Sequence, residues 1–312
     1  MERAKSILIV GGSGFVGSRL ALRLRSRFKV YLTYRSHPIR LDRIISVPFN
    51  VMDQDTARRL VYMIQPDVII YTAGTHQVEI PEKELRAAES INTSGPASLL
   101  NAAQIFQPRF IYLSNSYVFD GLRGNYHETD TVIPINTLGR LKVGGENLVK
   151  GKSLNYSIIR CSPLLGVSLG SNLTFVDQLR WNLASGKRFE ALNSELQSFT
   201  AVETLIDLID RVINSGPRNK TFHVSGLTKV TQFELAKRLA DRLKLPADLI
   251  VPISRPVAMM SRKAAGISSQ LEVQDYSLNS TQSVQLLKVQ PLFLEQSLDL
   301  IEKELIVPSM TA

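Results

Sequence analysis

Short runs of β-branched and aliphatic residues alternate with longer stretches of helical spacing through the first 160 residues. The apolar runs fall at residues 7–10, 30–34, 46–49, 68–71, 110–114 and 156–160. Between them, apolar positions recur near a period of 3.6 at residues 15–25, 56–64, 85–103 and 137–150. Strands that are apolar along their whole length belong in a parallel sheet covered on both faces, and their alternation with helices makes βαβ units. The pattern predicts an α/β fold: a Rossmann-type doubly wound parallel sheet over residues 1–165.

Beyond residue 160 the alternation fades. Helical spacing persists at residues 174–184, 202–213 and 231–243, separated by longer irregular stretches. Residues 166–312 therefore read mainly as a smaller α/β lobe closing over a substrate, with about 200–225 returning to the core. Asp55 and Thr231 stand where N-caps belong, and Glu234, three residues after Thr231, completes a capping box.

Composition narrows the partners. With 44% hydrophobic and 21% charged residues, the 312-residue chain is neither disordered nor collagen-like. Its net charge of +9 favours anionic ligands. No block of like charges or basic-aromatic ribbon points to nucleic acid, so a nucleotide cofactor or an anionic small-molecule substrate is the expected user of that field. No apolar run approaches the roughly 18 residues that cross a bilayer, and Gly11 and Gly12 interrupt the first apolar run after Val10. A single cysteine, Cys161, set among apolar residues, reads as a core thiol and fits a reducing compartment. The expectation is a cytoplasmic protein without a membrane segment. His37, His76, His127 and His223 lack metal-ligand spacing, and no Gly-x-Ser-x-Gly elbow occurs.

The strongest motif is Gly11-Gly12-Ser13-Gly14-Phe15-Val16-Gly17, directly after the first strand and opening the first helix. Glycines there permit a tight turn, let the backbone approach a pyrophosphate, and pack helix on strand, while helix N–H groups face the anion. This is a dinucleotide site. After the second strand, Thr33-Tyr34-Arg35-Ser36-His37 holds no carboxylate for a ribose hydroxyl, whereas Arg35 suits a 2′-phosphate. That places NADP ahead of NAD.

Several strings then carry a resemblance by their order and spacing: Asp67-Val68-Ile69-Ile70-Tyr71-Thr72-Ala73-Gly74, Ile91-Asn92-Thr93-Ser94-Gly95, Leu113-Ser114-Asn115-Ser116-Tyr117-Val118-Phe119-Asp120-Gly121, Tyr126-His127-Glu128-Thr129-Asp130 with Pro134, and Thr221-Phe222-His223-Val224-Ser225-Gly226. Over most of its length the chain resembles the extended short-chain dehydrogenase/reductases, and within them the dTDP-4-dehydrorhamnose reductase family. The resemblance implies that Gly11, Ser13, Gly14, Phe15 and Val16 cradle the pyrophosphate. It implies that Asn50, where the family usually has Asp, and Val51 flank the adenine, and that Ala73 and Gly74 line the ribose side. Residues 221–226 correspond to a stretch where such proteins hold the nucleotide-sugar.

The family's catalytic set is a Tyr and a Lys four residues apart with a Ser or Thr beside them. The phenol protonates the alkoxide formed by hydride transfer, and the ammonium stabilises its phenolate. Here Leu138 stands at the tyrosine position, Lys142 is kept, and Asn115 replaces the hydroxyl residue. An asparagine amide can donate a hydrogen bond to a carbonyl but cannot supply a proton. Loss of the acid removes a factor of about 10² to 10⁴ in rate. Ser114, Ser116, Tyr117, Tyr126, His127, or a water relayed through Lys142 are the alternative donors, and Lys142 also suits binding of the nicotinamide ribose. Two functions follow: a reductase of a keto group on a nucleotide-linked sugar or similar anionic metabolite with a non-standard proton donor, or a catalytically inactive NADP-binding regulatory or scaffold subunit of another enzyme. An elimination or isomerisation that needs no phenol is a third. By the resemblance, helices over 85–103 and 137–150 offer faces for a homodimer, and a partner enzyme is the alternative partner. Met259 and Met260, flanked by Arg255, Arg262 and Lys263, read either as a mobile loop over the cleft or as a solvated face.

Overall fold

The computed structural model describes residues 4–75, 77–170, 172–254 and 273–306. In chain order its first half comprises β1 (Ser6–Val10), α1 (Phe15–Leu24), β2 (Lys29–Tyr34), β3 (Ile44–Pro48), α2 (Gln54–Ile64), β4 (Val68–Tyr71), α3 (Glu82–Glu89), α4 (Gly95–Ala103), β5 (Arg109–Asn115), α5 (Thr137–Lys152) and β6 (Tyr156–Cys161). The second half contains β7 (Leu164–Leu165), α6 (Phe175–Ala184), β8 (Phe189–Leu192), β9 (Glu195–Gln197), β10 (Thr200–Ala201), α7 (Val202–Ser215), β11 (Lys220–Val224), β12 (Val230–Thr231), α8 (Gln232–Arg242), β13 (Ile250–Ile253), β14 (Gln274–Asp275), α9 (Thr281–Leu287) and α10 (Leu294–Ile306).

A seven-stranded sheet in the order β11-β6-β5-β4-β1-β2-β3 forms the centre, and every pairing in it is parallel. This is the doubly wound sheet that the alternation predicts. Period-two alternation within β1 shows why its strands are apolar throughout. Ile7 and Ile9 pack with Leu20 and Leu24 of α1 and Leu205 and Ile209 of α7, whereas Leu8 and Val10 pack with Leu60 and Val61 of α2 and Leu99 of α4. Helices on both faces take each set out of water.

Three boundaries differ from the sequence expectation. The helix expected over 85–103 is divided into α3 and α4 by a π-helical turn, Ser90–Ser94. Tyr71 Oη donates to the carbonyl of Ile91 and Tyr112 Oη to that of Asn92, drawing acceptors away from the helical ladder, and Pro96 in the next turn has no N–H to give. The N-cap of α2 is Asp53 rather than Asp55: Asp53 Oδ1 accepts from Thr56 N at 3.0 Å, and Asp55 lies inside the first turn, where its charge suits the helix dipole. The third strand runs Ile44–Pro48 instead of 46–49, in register with Val30–Tyr34.

The remaining elements build a second core around Val176, Leu179, Leu235, Leu239 and Leu298 from α6, α8 and α10. Capping boxes start α6 (Thr174 with Asp177) and α8 (Thr231 with Glu234). Before that lobe is complete the chain returns to the sheet, with α7 packed on α1 and β11 paired to β6. Met259, Met260, Arg255, Arg262 and Lys263 lie outside the described residues.

Candidate functional site

Because the strands are parallel, their carboxyl ends share one edge. The order reverses between β1 and β4, which leaves a crevice between their following loops. Gly11 leaves β1 with φ +81°, and a Cβ there would lie 2.6 Å from the backbone nitrogen of Ala73. At Gly17 it would lie 2.5 Å from the Gly11 carbonyl oxygen. Thr33 of β2 holds the turn: its Oγ1 accepts from Gly11 N at 3.2 Å, and its carbonyl accepts from Ser13 N at 3.3 Å. Gly14 caps α1 without a side chain, and no acidic residue lies in the first turn, so the positive end of the helix faces the crevice uncompensated. The cradle has the form that a pyrophosphate requires. Gly11→Ala is expected to lower stability by about 1–3 kcal/mol through strain and overpacking. Gly151→Ala, in the last turn of α5 where a Cβ meets nothing within 4 Å, is the unstrained comparison in the same thermal-denaturation measurement and should not lose stability.

Arg35 follows β2 and is exposed, as is Asn50 after β3, whose Oδ1 accepts from Met52 N at 3.2 Å. Val51 lies against Gly95, where a Cβ would stand 3.0 Å from the Val51 Cβ. Ala73 and Gly74 follow β4. With Ser13, Phe15 and Val16 beyond β1, these residues all follow strands of the sheet at its carboxyl edge.

Across it, α5 starts at Asn136, whose Oδ1 accepts from Gly139 N at 2.8 Å. Gly139 and Gly145 let the helix press on the sheet side. A Cβ at Gly139 would fall 2.0 Å from the Tyr117 carbonyl oxygen, and one at Gly145 would fall 2.1 Å from Tyr112 Oη. Leu138 and Lys142 are one turn apart on this pressed face. Leu138 is 3% exposed and its backbone N–H donates to the Val78 carbonyl. Lys142 Nζ donates to the Leu113 carbonyl at 3.0 Å, and a Cβ on Gly74 would come within 3.1 Å of Nζ and 3.5 Å of Asn92 Oδ1. That Asn92 oxygen is buried with no partner among the described residues. Burial drives the Lys142 ammonium down to about 8, against the opposing pull of the Glu146 carboxylate. Cys161 is itself buried and pushed up to about 12, so it is an inert thiol.

The hydroxyl groups that the sequence offers as alternative donors point their protons into the protein. Ser114 Oγ donates to Glu146 Oε1 at 2.6 Å, Ser116 Oγ to Gln197 Oε1 at 3.3 Å, Tyr117 Oη to Glu195 Oε2 at 2.8 Å, and Tyr126 Oη to Asp120 Oδ1. Asn115 Oδ1 accepts from Tyr117 N at 3.1 Å. His127 is exposed, its backbone N–H held by Asp130. His223 is buried, with Nδ1 3.0 Å from the Tyr126 carbonyl, and burial together with Arg160 pushes it down to about 3. Sequence reasoning missed Glu195 and Gln197, which the second lobe delivers to Tyr117 and Ser116 from more than 70 residues away. It also missed Glu146, although the i, i+4 spacing from Lys142 marks the shared face. A cavity of about 360 Å³ at the opposite edge, lined by Lys5, Asp67, Arg109 and Arg218, is separate from this site. Arg109 there donates to the Gly216 and Pro217 carbonyls after α7.

The family described as RmlD substrate binding domain matches residues 5–284. The chain belongs to the RmlD family. Rattus norvegicus methionine adenosyltransferase 2 subunit beta is 25% identical to this RmlD-family chain over 265 residues, covering 80% of the chain and 76% of the relative. The dTDP-4-dehydrorhamnose reductase of Mycolicibacterium smegmatis is also 25% identical, over 236 residues, covering 75% and 68%. The crystal structure of a Bacillus anthracis dTDP-4-dehydrorhamnose reductase in complex with NADP superposes with a TM-score of 0.78 at 23% identity, covering 97% of this chain and all of that one. Among the described residues of this RmlD-family chain, no helix is long and apolar enough to cross a membrane.

Proposed function

We propose that this protein binds NADP(H) at the carboxyl edge of its sheet and serves as a dinucleotide-responsive regulatory or scaffold subunit, with reductase turnover slow or absent. The glycine cradle and the uncapped start of α1 suit the pyrophosphate. Arg35 suits the 2′-phosphate, and Lys142 beside Gly74 suits the nicotinamide ribose. The dinucleotide would supply a hydride donor. One observation carries the regulatory reading: an apolar, buried Leu138 sits one turn from Lys142, while Ser114, Ser116, Tyr117 and Tyr126 all donate to protein acceptors. The site holds what binding needs and lacks a ready proton donor. Similarity to a protein named as a subunit of another enzyme supports the same reading.

A second reading rests on Lys142 itself. An ammonium brought down to about 8 is acidic enough to deliver a proton through a water near neutral pH. On that reading the chain reduces a keto group of a nucleotide-linked sugar, a class in keeping with the name of the M. smegmatis relative.

Calorimetric titration with NADPH and NADH, followed by assay against 4-keto nucleotide sugars, separates the two. Tight NADPH binding without substrate-dependent oxidation is expected. Brisk turnover would displace the regulatory reading in favour of the reductase, and no binding of either dinucleotide would defeat both. In the same titration Arg35→Ser should weaken NADPH about tenfold or more, the worth of a charge-assisted hydrogen bond, and leave NADH unchanged.

A further inference from the structure

The stretch 166–170, which links the sheet to the second lobe, lies directly on the glycine-rich loop. A Cβ at Gly170 would stand 3.1 Å from the Ser13 carbonyl oxygen, and one at Gly166 would stand 2.9 Å from the Phe15 ring. On the lobe side the stretch is tied to the capping box of α6. Ser168 N donates to Asp177 Oδ2 at 2.9 Å, and Thr174 Oγ1 donates to the Gly166 carbonyl at 2.8 Å. On the core side it is held by Arg19, in the second turn of the helix that the glycine loop opens. Arg19 Nη2 donates to the Val167 carbonyl and reaches Glu304 of α10, and Nη1 donates to Glu203 of α7 at 2.9 Å. Glu304 Oε2 accepts from Val167 N at 3.5 Å. The guanidinium lies 5.4 Å from the centre of the Phe15 ring.

The Arg19 side chain is 11% exposed and its Nε is buried without a partner among the described residues. Partly exposed pairs such as those with Glu203 and Glu304 contribute little to stability, and an unpaired buried N–H costs more than it returns. As a mere helix-surface staple the arrangement is poor. As a fastener for backbone next to a ligand loop it is well made, since both amide groups of Val167 are engaged at once.

We infer that Arg19 is a positioning residue for the dinucleotide: by gripping Val167 together with Glu304, it holds residues 166–170 as a clasp over the glycine-rich loop, and the clasp must open for the cofactor to leave. The inference rests on the dinucleotide reading above. It makes cofactor retention a property shared by α1, the start of the second lobe and the last described helix.

Two measurements on the full chain test it. In Arg19→Met, amide hydrogen exchange at residues 167–170 in the cofactor-free protein should rise about tenfold or more, and stopped-flow release of NADPH should speed up by a similar factor while its association rate holds. A merely structural arginine would lower the melting temperature without changing release selectively. Unchanged exchange at 167–170, or faster exchange with unchanged NADPH release, overturns the inference. If Arg19→Met fails to fold, Glu304→Gln on the exposed side of the clasp is read in the same two ways, with a smaller increase in both rates expected. If the natural protein takes up no NADPH, the proposed function falls first. The retention role then falls with it, and the exchange data report only whether 166–170 is fastened.

Discussion

Leu138→Tyr should raise the rate of NADPH oxidation with 4-keto nucleotide sugars by about 10² to 10⁴ over the natural protein, the range that a positioned general acid contributes. The substitution places a phenol one helical turn before Lys142, on the face of α5 that Gly139 and Gly145 press against the sheet side. The backbone there is already set, because Asn136 caps Gly139 and Leu138 N is bonded to Val78. The neighbouring ammonium would favour the phenolate and so bring the phenol toward the working pH. Tyrosine is larger than the buried leucine it replaces, so an overpacking penalty of about 1–3 kcal/mol is expected in thermal denaturation. A folded, NADPH-binding Leu138→Tyr protein with no gain in rate would show that the missing phenol is not what limits this site. Asn115→Thr in the same chain should add to the gain, because it restores a hydroxyl beside the reacting carbonyl.

Glu146→Ala should be the most destabilising of the substitutions considered, at about 3–5 kcal/mol, read from the midpoint of urea unfolding. Glu146 and Arg160 are both 2% exposed at the side chain and form a two-pronged pair, with Nε to Oε1 at 2.9 Å and Nη2 to Oε2 at 2.7 Å. Ser114 donates to the same carboxylate, and Lys150 approaches it at 3.7 Å. Removing the acid strands a guanidinium whose Nη1 already has no partner among the described residues and which lies over the ring of Phe119. Glu146→Leu combined with Arg160→Met should recover most of the loss, since two apolar groups leave no buried charge. Equal midpoints for the natural protein and Glu146→Ala would mean that the pair is not what seats α5. The pair bears on the site because Glu146 lies one turn beyond Lys142 on the same helix.

The strands and most helices were legible because a sheet buried on both faces demands apolar runs with helical stretches between them, and that demand is local. The π turn at Ser90–Ser94 was not, because the acceptors it gives up go to Tyr71 and Tyr112, hydroxyls on two other strands. Spacing alone does not separate Asp53 from Asp55 as the N-cap, because both carboxylates fit it, and the extended backbone at residue 53 is what lets its oxygen reach Thr56 N. The cofactor cradle was readable from Gly11, Gly14 and Gly17, whose roles are steric and belong to one turn. Glu195, Gln197, Glu146 and Arg160 were not, because each matters through a partner on another element.

Taken alone, the chain's residues determine a doubly wound sheet and a glycine turn shaped for a pyrophosphate, since each depends on neighbours within one or two turns of backbone, while the resemblance to a family marks Leu138 as standing at a tyrosine position. Tertiary structure alone decides the surroundings of Leu138 and Lys142. It buries Lys142 beside Gly74 and brings the ammonium down to about 8, turns nearby hydroxyls toward Glu146, Gln197, Glu195 and Asp120, and lays residues 166–170 over the glycine loop under Arg19. These are contacts between distant segments, and their energies come from desolvation and paired charges that exist only once the chain has closed upon itself.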